Sequence, residues 1–192
     1  AVRQVVDSRR AEARLHACWT LGLMGTNAAP AVPDLVACLG DRSADVARVA
    51  ADALLRVGIA AVPELLRVVR SGTTQDRLDA LAVLQRMGGG ARFAIPELVG
   101  SLRDPDPAVR AAVVTAIASI WPFAEESVGV MSGALGDPAP EVRAAAAAGL
   151  GRAAPLAKSA VPALEQLRDD PEESVRTNAV KTLERIKASA RR

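Results

Sequence analysis

Apolar residues recur along the chain with the period of an α-helix. In the segment that starts at Val109, the apolar side chains follow at offsets of 0, 4, 7, 8 and 11 residues: Val109, Val113, Ala116, Ile117 and Ile120. These positions share one face of a helix with about 3.6 residues per turn, and no strand-like alternation competes with them. The pattern predicts an all-α protein in which each helix buries one face.

The helical pattern is repeated along the chain. A proline preceded by Ala-Val or Ala-Ile occurs at Pro33, Pro63, Pro96 and Pro162, so the gaps are 30, 33 and 66 residues. Gly129 occupies the position at which the gap of 66 residues skips a proline. Self-similarity with a period of about 33 residues is typical of stacked helical repeats, in which each unit buries its apolar face against its neighbours.

Each repeat is predicted to contain two helices. The first helix begins at the proline, because the first turn of a helix does not need that residue's N–H group. A turn such as Asp104-Pro-Asp-Pro follows, and the second helix then begins with a Val-Arg pair, as at Val109. Three second helices are predicted to end at Gly25, Gly58 and Gly88, since glycine is favoured just past a helix C-terminus.

These features predict a single solenoid domain over residues 1–192. Residues 1–25 form a truncated first repeat in this interpretation, and the further repeats span residues 26–58, 59–88, 89–121, 122–154 and 155–192. Residues 1–6 have the pattern of the end of a first helix. We therefore expect the chain to belong to a longer array of repeats.

The Asp-Pro turn, the Val-Arg pair and the Ala-Val-Pro-x-Leu helix start resemble the HEAT-like repeats of phycobilin lyases and of many bacterial scaffold proteins. The resemblance covers nearly the whole chain and implies a right-handed, armadillo-like α-solenoid of HEAT-like helical hairpins. It also implies a structural ladder between neighbouring repeats, formed by an Asp in the turn and an Arg six residues later. The matching pairs are Asp104 with Arg110, Asp137 with Arg143, and Asp170 with Arg176. The other units depart from this pattern, with Ser8 before Arg14, Asp41 before Ala47, and Ser71 before Arg77.

Composition narrows the possible functions. The 192 residues include 24 basic and 22 acidic side chains, so the formal net charge is only +2. Proteins that bind nucleic acid usually carry a clustered basic surplus, and the near-neutral charge disfavours that function. No run of about 18 apolar residues occurs, which predicts no membrane span. The two cysteines do not fix the compartment, although a cytoplasmic location is favoured.

Candidate catalytic chemistry is sparse. The chain has one histidine, His16, and residues two positions apart on a helix, such as His16 and Cys18, point in different directions. Cys18 and Cys38 lie in helical patterns without metal-ligand spacing, so both are predicted to be buried thiols. The triple glycine that starts at Gly88 is not followed by Gly-Lys-Ser or Gly-Lys-Thr, which excludes a P-loop. We therefore expect no enzyme activity, no cofactor and no metal site.

The surface most suited to binding is the concave one, which in HEAT-like arrays is lined by the second helices. Side chains at offsets of about 2, 6, 9 and 10 residues along these helices lie outside the predicted core. The candidate partner-binding residues on this surface are Trp19, Leu23, Arg48, Arg56, Arg86, Thr115, Arg152, Lys181 and Arg185. The other tryptophan, Trp121, is instead predicted to pack inside its hairpin.

Three functions fit this surface. Its small side chains suit a helix or an extended peptide of a partner, and its arginines favour an acidic one, which predicts a non-catalytic scaffold for protein–protein interaction. The arginine line formed by Arg56, Arg86, Arg152 and Arg185 leaves binding of DNA or RNA as an alternative. The third alternative is an assembly or regulatory domain of a larger protein.

Overall fold

The structure, a computed structural model, describes residues 10–122 and 124–190. All regular elements in these residues are α-helices or 3-10 helices, and none is a β-strand, which confirms the predicted all-α class. The sequence pattern at residues 1–6 and the position of Ser8 lie outside the described residues. The chain divides into two compact units, of which unit 1 ends at Ala94 and unit 2 begins at Ile95.

Unit 1 is built from helical hairpins. Its α-helices are α1 (Ala11–Met24), α2 (Val32–Ala37), α3 (Ala44–Val57), α4 (Val62–Ser71) and α5 (Thr74–Met87). Segments of 3-10 helix lie between or after them, at Gly25–Ala31, Cys38–Gly40, Gly58–Ala61 and Gly88–Ala94. The second helices α1 and α3 pack against each other, as do α4 and α5 within their hairpin.

Unit 2 has the same construction. Its α-helices are α6 (Ile95–Gly100), α7 (Pro107–Ile120), α8 (Glu125–Ala134), α9 (Pro140–Arg152), α10 (Val161–Gln166) and α11 (Glu173–Ser189). Its 3-10 segments are Ser101–Arg103, Ala157–Ala160 and Leu167–Asp169. Helix α9 packs against both α7 and α11, so the second helices form one layer and the shorter first helices form the other.

The periodic apolar positions form the core of each hairpin. In α7 the residues predicted to be buried are Val109, Val113, Ala116, Ile117 and Ile120, and none of them is more than 2% exposed. This agreement confirms the interpretation of the offsets as one buried helix face. Val114 and Ala118 of the same helix are fully buried as well, so the buried face is wider than these offsets predict.

The ends of the helices follow the local sequence closely. Gly25, Gly58 and Gly88 follow α1, α3 and α5 with φ angles of 55°, 73° and 51°, a backbone conformation that favours glycine. In the first helices α2, α6 and α10 the α-helical part has only six residues, because the last turn tightens into 3-10 geometry. In the second repeat the α-helix ends at Ala37 and a 3-10 turn continues to Gly40.

Small residues let the second helices of unit 2 approach each other closely. A Cβ atom added at Gly149 of α9 would lie 2.5 Å from Met131 Sδ and 2.9 Å from Ala118 Cβ. A Cβ atom added at Gly151 would lie 2.7 Å from the hydroxyl oxygen of Thr182 in α11. The surface formed by α7, α9 and α11 is therefore closely packed.

Candidate functional site

The polar side chains that recur in the turns form ion pairs between successive repeats. Arg110 donates from Nε and Nη2 to the two carboxylate oxygens of Asp137, over 2.9 and 2.7 Å. The third guanidinium nitrogen, Nη1, donates to the backbone carbonyls of Asp104 and Pro105. The Asp that stands six residues before the arginine therefore contributes its carbonyl, and the carboxylate comes from the following repeat.

The same arrangement recurs elsewhere in the described residues. Arg143 forms a bidentate pair with Asp170, and Arg14 forms one with Asp41. Each of these pairs spans 27 residues, as the pair of Arg110 and Asp137 does. We call these three contacts the ladder. Arg176 donates to the backbone carbonyl of Asp170, as Arg110 does to that of Asp104, so the spacing of six residues gives a backbone contact where a side-chain pair was predicted.

The electrostatics of the ladder are those of a structural contact. The hydrogen bond from its arginine lowers the pKa of each ladder carboxylate, and burial opposes that effect. A backbone N–H two residues later also donates to each carboxylate and lowers its pKa further. All three carboxylates are therefore held ionised and fully engaged, so they do not serve as acids or bases.

The second-helix surface of unit 1 combines apolar and charged side chains. Trp19 and Leu23 of α1 are 54% and 56% exposed, as predicted for residues that lie off the core face. Trp19 lines a shallow depression of about 220 Å³ together with Arg48 and Arg56 of α3. Its lining therefore combines an aromatic ring, two guanidinium groups and the carboxylate of Asp52.

Two of the arginines predicted in unit 1 form ion pairs with carboxylates of the second helices. Asp52 of α3 forms an ion pair with Arg86 of α5 and lies 3.9 Å from Arg48 of its own helix. Arg48 also pairs with Asp45, at 3.3 Å. Arg56 has no carboxylate within 4.0 Å among the described residues. The sequence alone did not reveal this neutralisation, because Asp52 and Arg86 are 34 residues apart.

The second-helix surface of unit 2 carries three exposed cations. Arg152 of α9 and Lys181 and Arg185 of α11 have no carboxylate within 4.0 Å in the described part of the chain. Arg152 donates from Nη1 to the hydroxyl of Ser119, 2.6 Å away on α7. Thr115, which was predicted on this surface, is half-buried and donates its hydroxyl to the carbonyl of Ala111.

The remaining reactive side chains show no catalytic arrangement. His16 is exposed and its Nδ1 lies 2.8 Å from the carbonyl oxygen of Glu12. Cys18 and Cys38 are buried free thiols, as predicted. A hydrogen bond between the two thiols, together with burial, raises the pKa of Cys18 and keeps that thiol protonated. The prediction for Trp121 was wrong, since this residue is 45% exposed at the end of α7.

Neither a metal-binding group nor a membrane-spanning helix is found among the described residues. No group of three or more His, Cys, Asp or Glu side chains in residues 10–122 and 124–190 could hold a metal ion. Among the described helices, none has the length and apolar character needed to cross a membrane.

Family profiles match the second half of the chain. Residues 94–124 match the profile described as HEAT repeat, and residues 127–191 match the profile described as HEAT repeats. A comparison with curated protein sequences found no match. The matched segments contain the Val-Arg pairs and the Asp-Pro turns from which the repeat was first inferred.

Solved structures share the fold over most of the chain. A designed armadillo repeat protein in complex with the peptide (KR)4 superposes with a TM-score of 0.61 and 20% identity, covering 96% of this chain and 98% of that chain. The complex of CpcE and CpcF of phycocyanin lyase from Nostoc sp. PCC7120 gives a TM-score of 0.68 and 21% identity, covering 80% of this chain and 98% of that chain. Kap121p superposes with a TM-score of 0.73 and 16% identity, covering 98% of this chain and 25% of that chain.

At such low identities these neighbours show the fold alone, which is an α-solenoid of helical hairpins. The family profiles, the repeat length and the hairpin construction agree with one another. The chain therefore belongs to the HEAT-repeat proteins.

Proposed function

We propose that the chain is a non-catalytic scaffold that binds a protein partner on the surface lined by its second helices. The observation that carries this proposal is the exposure of Trp19 and Leu23 on that surface, at 54% and 56%. Large apolar side chains that protrude from a helix face beside charged groups are typical of contact sites for proteins. Stacked repeats commonly use the surface formed by one helix of each repeat for this purpose.

The absence of spare reactive groups on the described residues supports the same function. The ladder carboxylates are consumed by arginines, and Cys18 and Cys38 are buried against each other. The phycocyanin lyase complex shares only the fold with this chain, so its name does not carry an enzyme activity over. The designed armadillo repeat protein with its bound (KR)4 peptide is an example of the same kind of fold used for binding.

Affinity capture from a lysate of the source organism tests this proposal. The purified chain is immobilised as wild type, as the second-helix variant Arg86→Glu/Arg152→Glu, and as the control variant Arg92→Glu/Arg103→Glu. Both double variants change the charge equally, but the control residues are exposed positions outside the second helices. Circular dichroism establishes that all three proteins are folded.

We expect a discrete protein to be retained by the wild type and by the control, and to be lost from the second-helix variant. Retention that depends only on nuclease-sensitive material would contradict the proposal and identify nucleic acid as the ligand. Equal loss from both variants would show that net charge, and not the second-helix surface, governs capture. Turnover of a substrate that depends on a side chain of this surface would contradict the non-catalytic assignment.

A further inference from the structure

Three cations on the second-helix surface of unit 2 have no carboxylate partner among the described residues. We call Arg152, Lys181 and Arg185 the basic strip. No carboxylate of the described residues lies within 4.0 Å of any of them. The only hydrogen bond that Arg152 is seen to make is to the neutral hydroxyl of Ser119. The guanidinium and ammonium charges of the strip are therefore available to a ligand.

The charge of the strip is specific to this part of the molecule. On the corresponding surface of unit 1, Asp52 neutralises Arg86 and approaches Arg48. In unit 2 the nearest acid in sequence is Glu184, which is exposed and forms no ion pair within 4.0 Å with a cation of the strip.

The floor, as we call the surface of α7 and α9 beside the strip, is made of small residues whose hydroxyl groups are hydrogen-bonded. The exposed or half-buried residues that α7 and α9 present there are small: Ala111, Thr115, Ser119, Ala144 and Ala148. The two hydroxyls donate to carbonyls of their own helix, over 2.9 Å each. Such a floor does not block the approach of a main chain, and it offers the cations only the neutral hydroxyl of Ser119.

We propose that the basic strip binds an acidic peptide segment in an extended conformation, with its carboxylates paired to Arg152, Lys181 and Arg185. This inference rests on the proposed function and names the chemistry of the partner. An arginine fork pairs with a carboxylate in a bidentate geometry, which gives direction as well as charge complementarity. The net charge of +2 favours this ligand over a nucleic acid, whose phosphates require a larger basic surplus.

The helix spacing predicts the spacing of the acids. Arg152 and Arg185 occupy equivalent positions in neighbouring second helices, and packed helices lie about 8–10 Å apart. An extended chain advances about 3.3 Å per residue, so acids roughly three positions apart match the two arginines. Lys181 lies one turn before Arg185 on α11 and provides a third charge beside this track.

Selection from a phage-displayed library of random peptides, each about 12 residues long, tests the proposal. The intact chain is used as wild type, as the strip variant Arg152→Glu/Arg185→Glu, and as the matched control Arg103→Glu/Lys158→Glu. A fourth protein, Ala148→Tyr/Thr177→Tyr, covers the floor at two exposed positions and leaves the strip charges in place. Enriched peptides are then synthesised, and their affinities are measured by fluorescence anisotropy, with an oligothymidylate as a nucleic-acid probe.

We expect enrichment of Asp and Glu about three positions apart, and binding that weakens as salt is added. The strip variant should bind these peptides roughly tenfold or more weakly, since each reversal replaces an attraction with a repulsion, whereas the control should bind as the wild type does. Enrichment of basic or neutral peptides that the floor variant no longer binds would overturn the inference and leave the proposed function standing.

Other outcomes separate the two proposals further. Acidic peptides that bind the strip variant and the wild type equally would also overturn the inference. Strip-dependent binding of the oligothymidylate without any enriched peptide would contradict both the inference and the proposed function. If no peptide is enriched on any of the proteins and the oligothymidylate does not bind, the inference is overturned but the proposed function is not. Affinity capture tests for a folded protein partner, whose binding does not depend on short peptides.

Discussion

The ladder contact between Arg110 and Asp137 is expected to couple two repeats of unit 2 by a measurable free energy. The two side chains are 13% and 14% exposed, and they share two hydrogen bonds. A hydrogen bond to a charged group contributes about 1.5–3 kcal/mol, whereas a fully exposed ion pair contributes about 0–1 kcal/mol. Because this pair is bidentate and largely shielded, we expect a coupling free energy of about 1.5–3 kcal/mol.

A double-mutant cycle measures that coupling. Arg110→Gln, Asp137→Asn and the double variant are unfolded with urea, and the unfolding free energies are obtained from far-ultraviolet circular dichroism. Asparagine at position 137 keeps an acceptor for the N–H of Ala139, so the cycle isolates the contact with the guanidinium. The control Asp169→Asn removes an exposed charge from a turn and should change stability by less than about 0.5 kcal/mol. A coupling free energy below about 0.5 kcal/mol would refute the reasoning.

Three further results are expected. The ladder carboxylates have a lowered pKa in the folded state. The stability that they contribute should therefore be present above the pKa of an unfolded Asp, which is about 3.9, and should be lost as the pH falls below that value. Urea unfolding midpoints measured from pH 7 to pH 3 test this expectation. Gly149→Ala should destabilise the protein by up to about 2 kcal/mol, because its Cβ atom would overlap Ala118. Gly129→Ala should stabilise the protein by up to about 1 kcal/mol, because its Cβ atom meets no atom within 4 Å. Urea unfolding measures both changes. The buried thiols of Cys18 and Cys38 should react slowly with a thiol reagent at pH 8 in the native protein and rapidly in urea. A rapid reaction of the native protein would contradict their burial.

Local patterns predicted the helices and their ends. The offsets that start at Val109 identified a buried face, because burial follows from the direction of side chains within a single helix. Gly25, Gly58 and Gly88 marked helix ends correctly, since a positive φ is a property of one residue and its neighbours. These features require no knowledge of how the repeats stack.

Contacts between repeats were less accessible to sequence reasoning. The resemblance gave the residue types of the ladder, but the carboxylate partner of Arg110 stands 27 residues away and depends on the stacking of two hairpins. The same holds for Asp52 and Arg86, whose contact removes one arginine from the predicted line. Trp121 was misplaced because it ends α7 with φ of −145°, where helical periodicity no longer sets the direction of a side chain.

The central claim, that a partner lies on the second-helix surface, is tested most directly by site-specific photo-crosslinking. A benzoylphenylalanine residue is introduced in place of Ala148 on α9 or of Gln166 at the end of α10, both of which are exposed. After irradiation in the source lysate, the account predicts a protease-sensitive, nuclease-resistant adduct from position 148 and none from position 166. An adduct from position 166 alone would place the partner on the first helices and contradict the account.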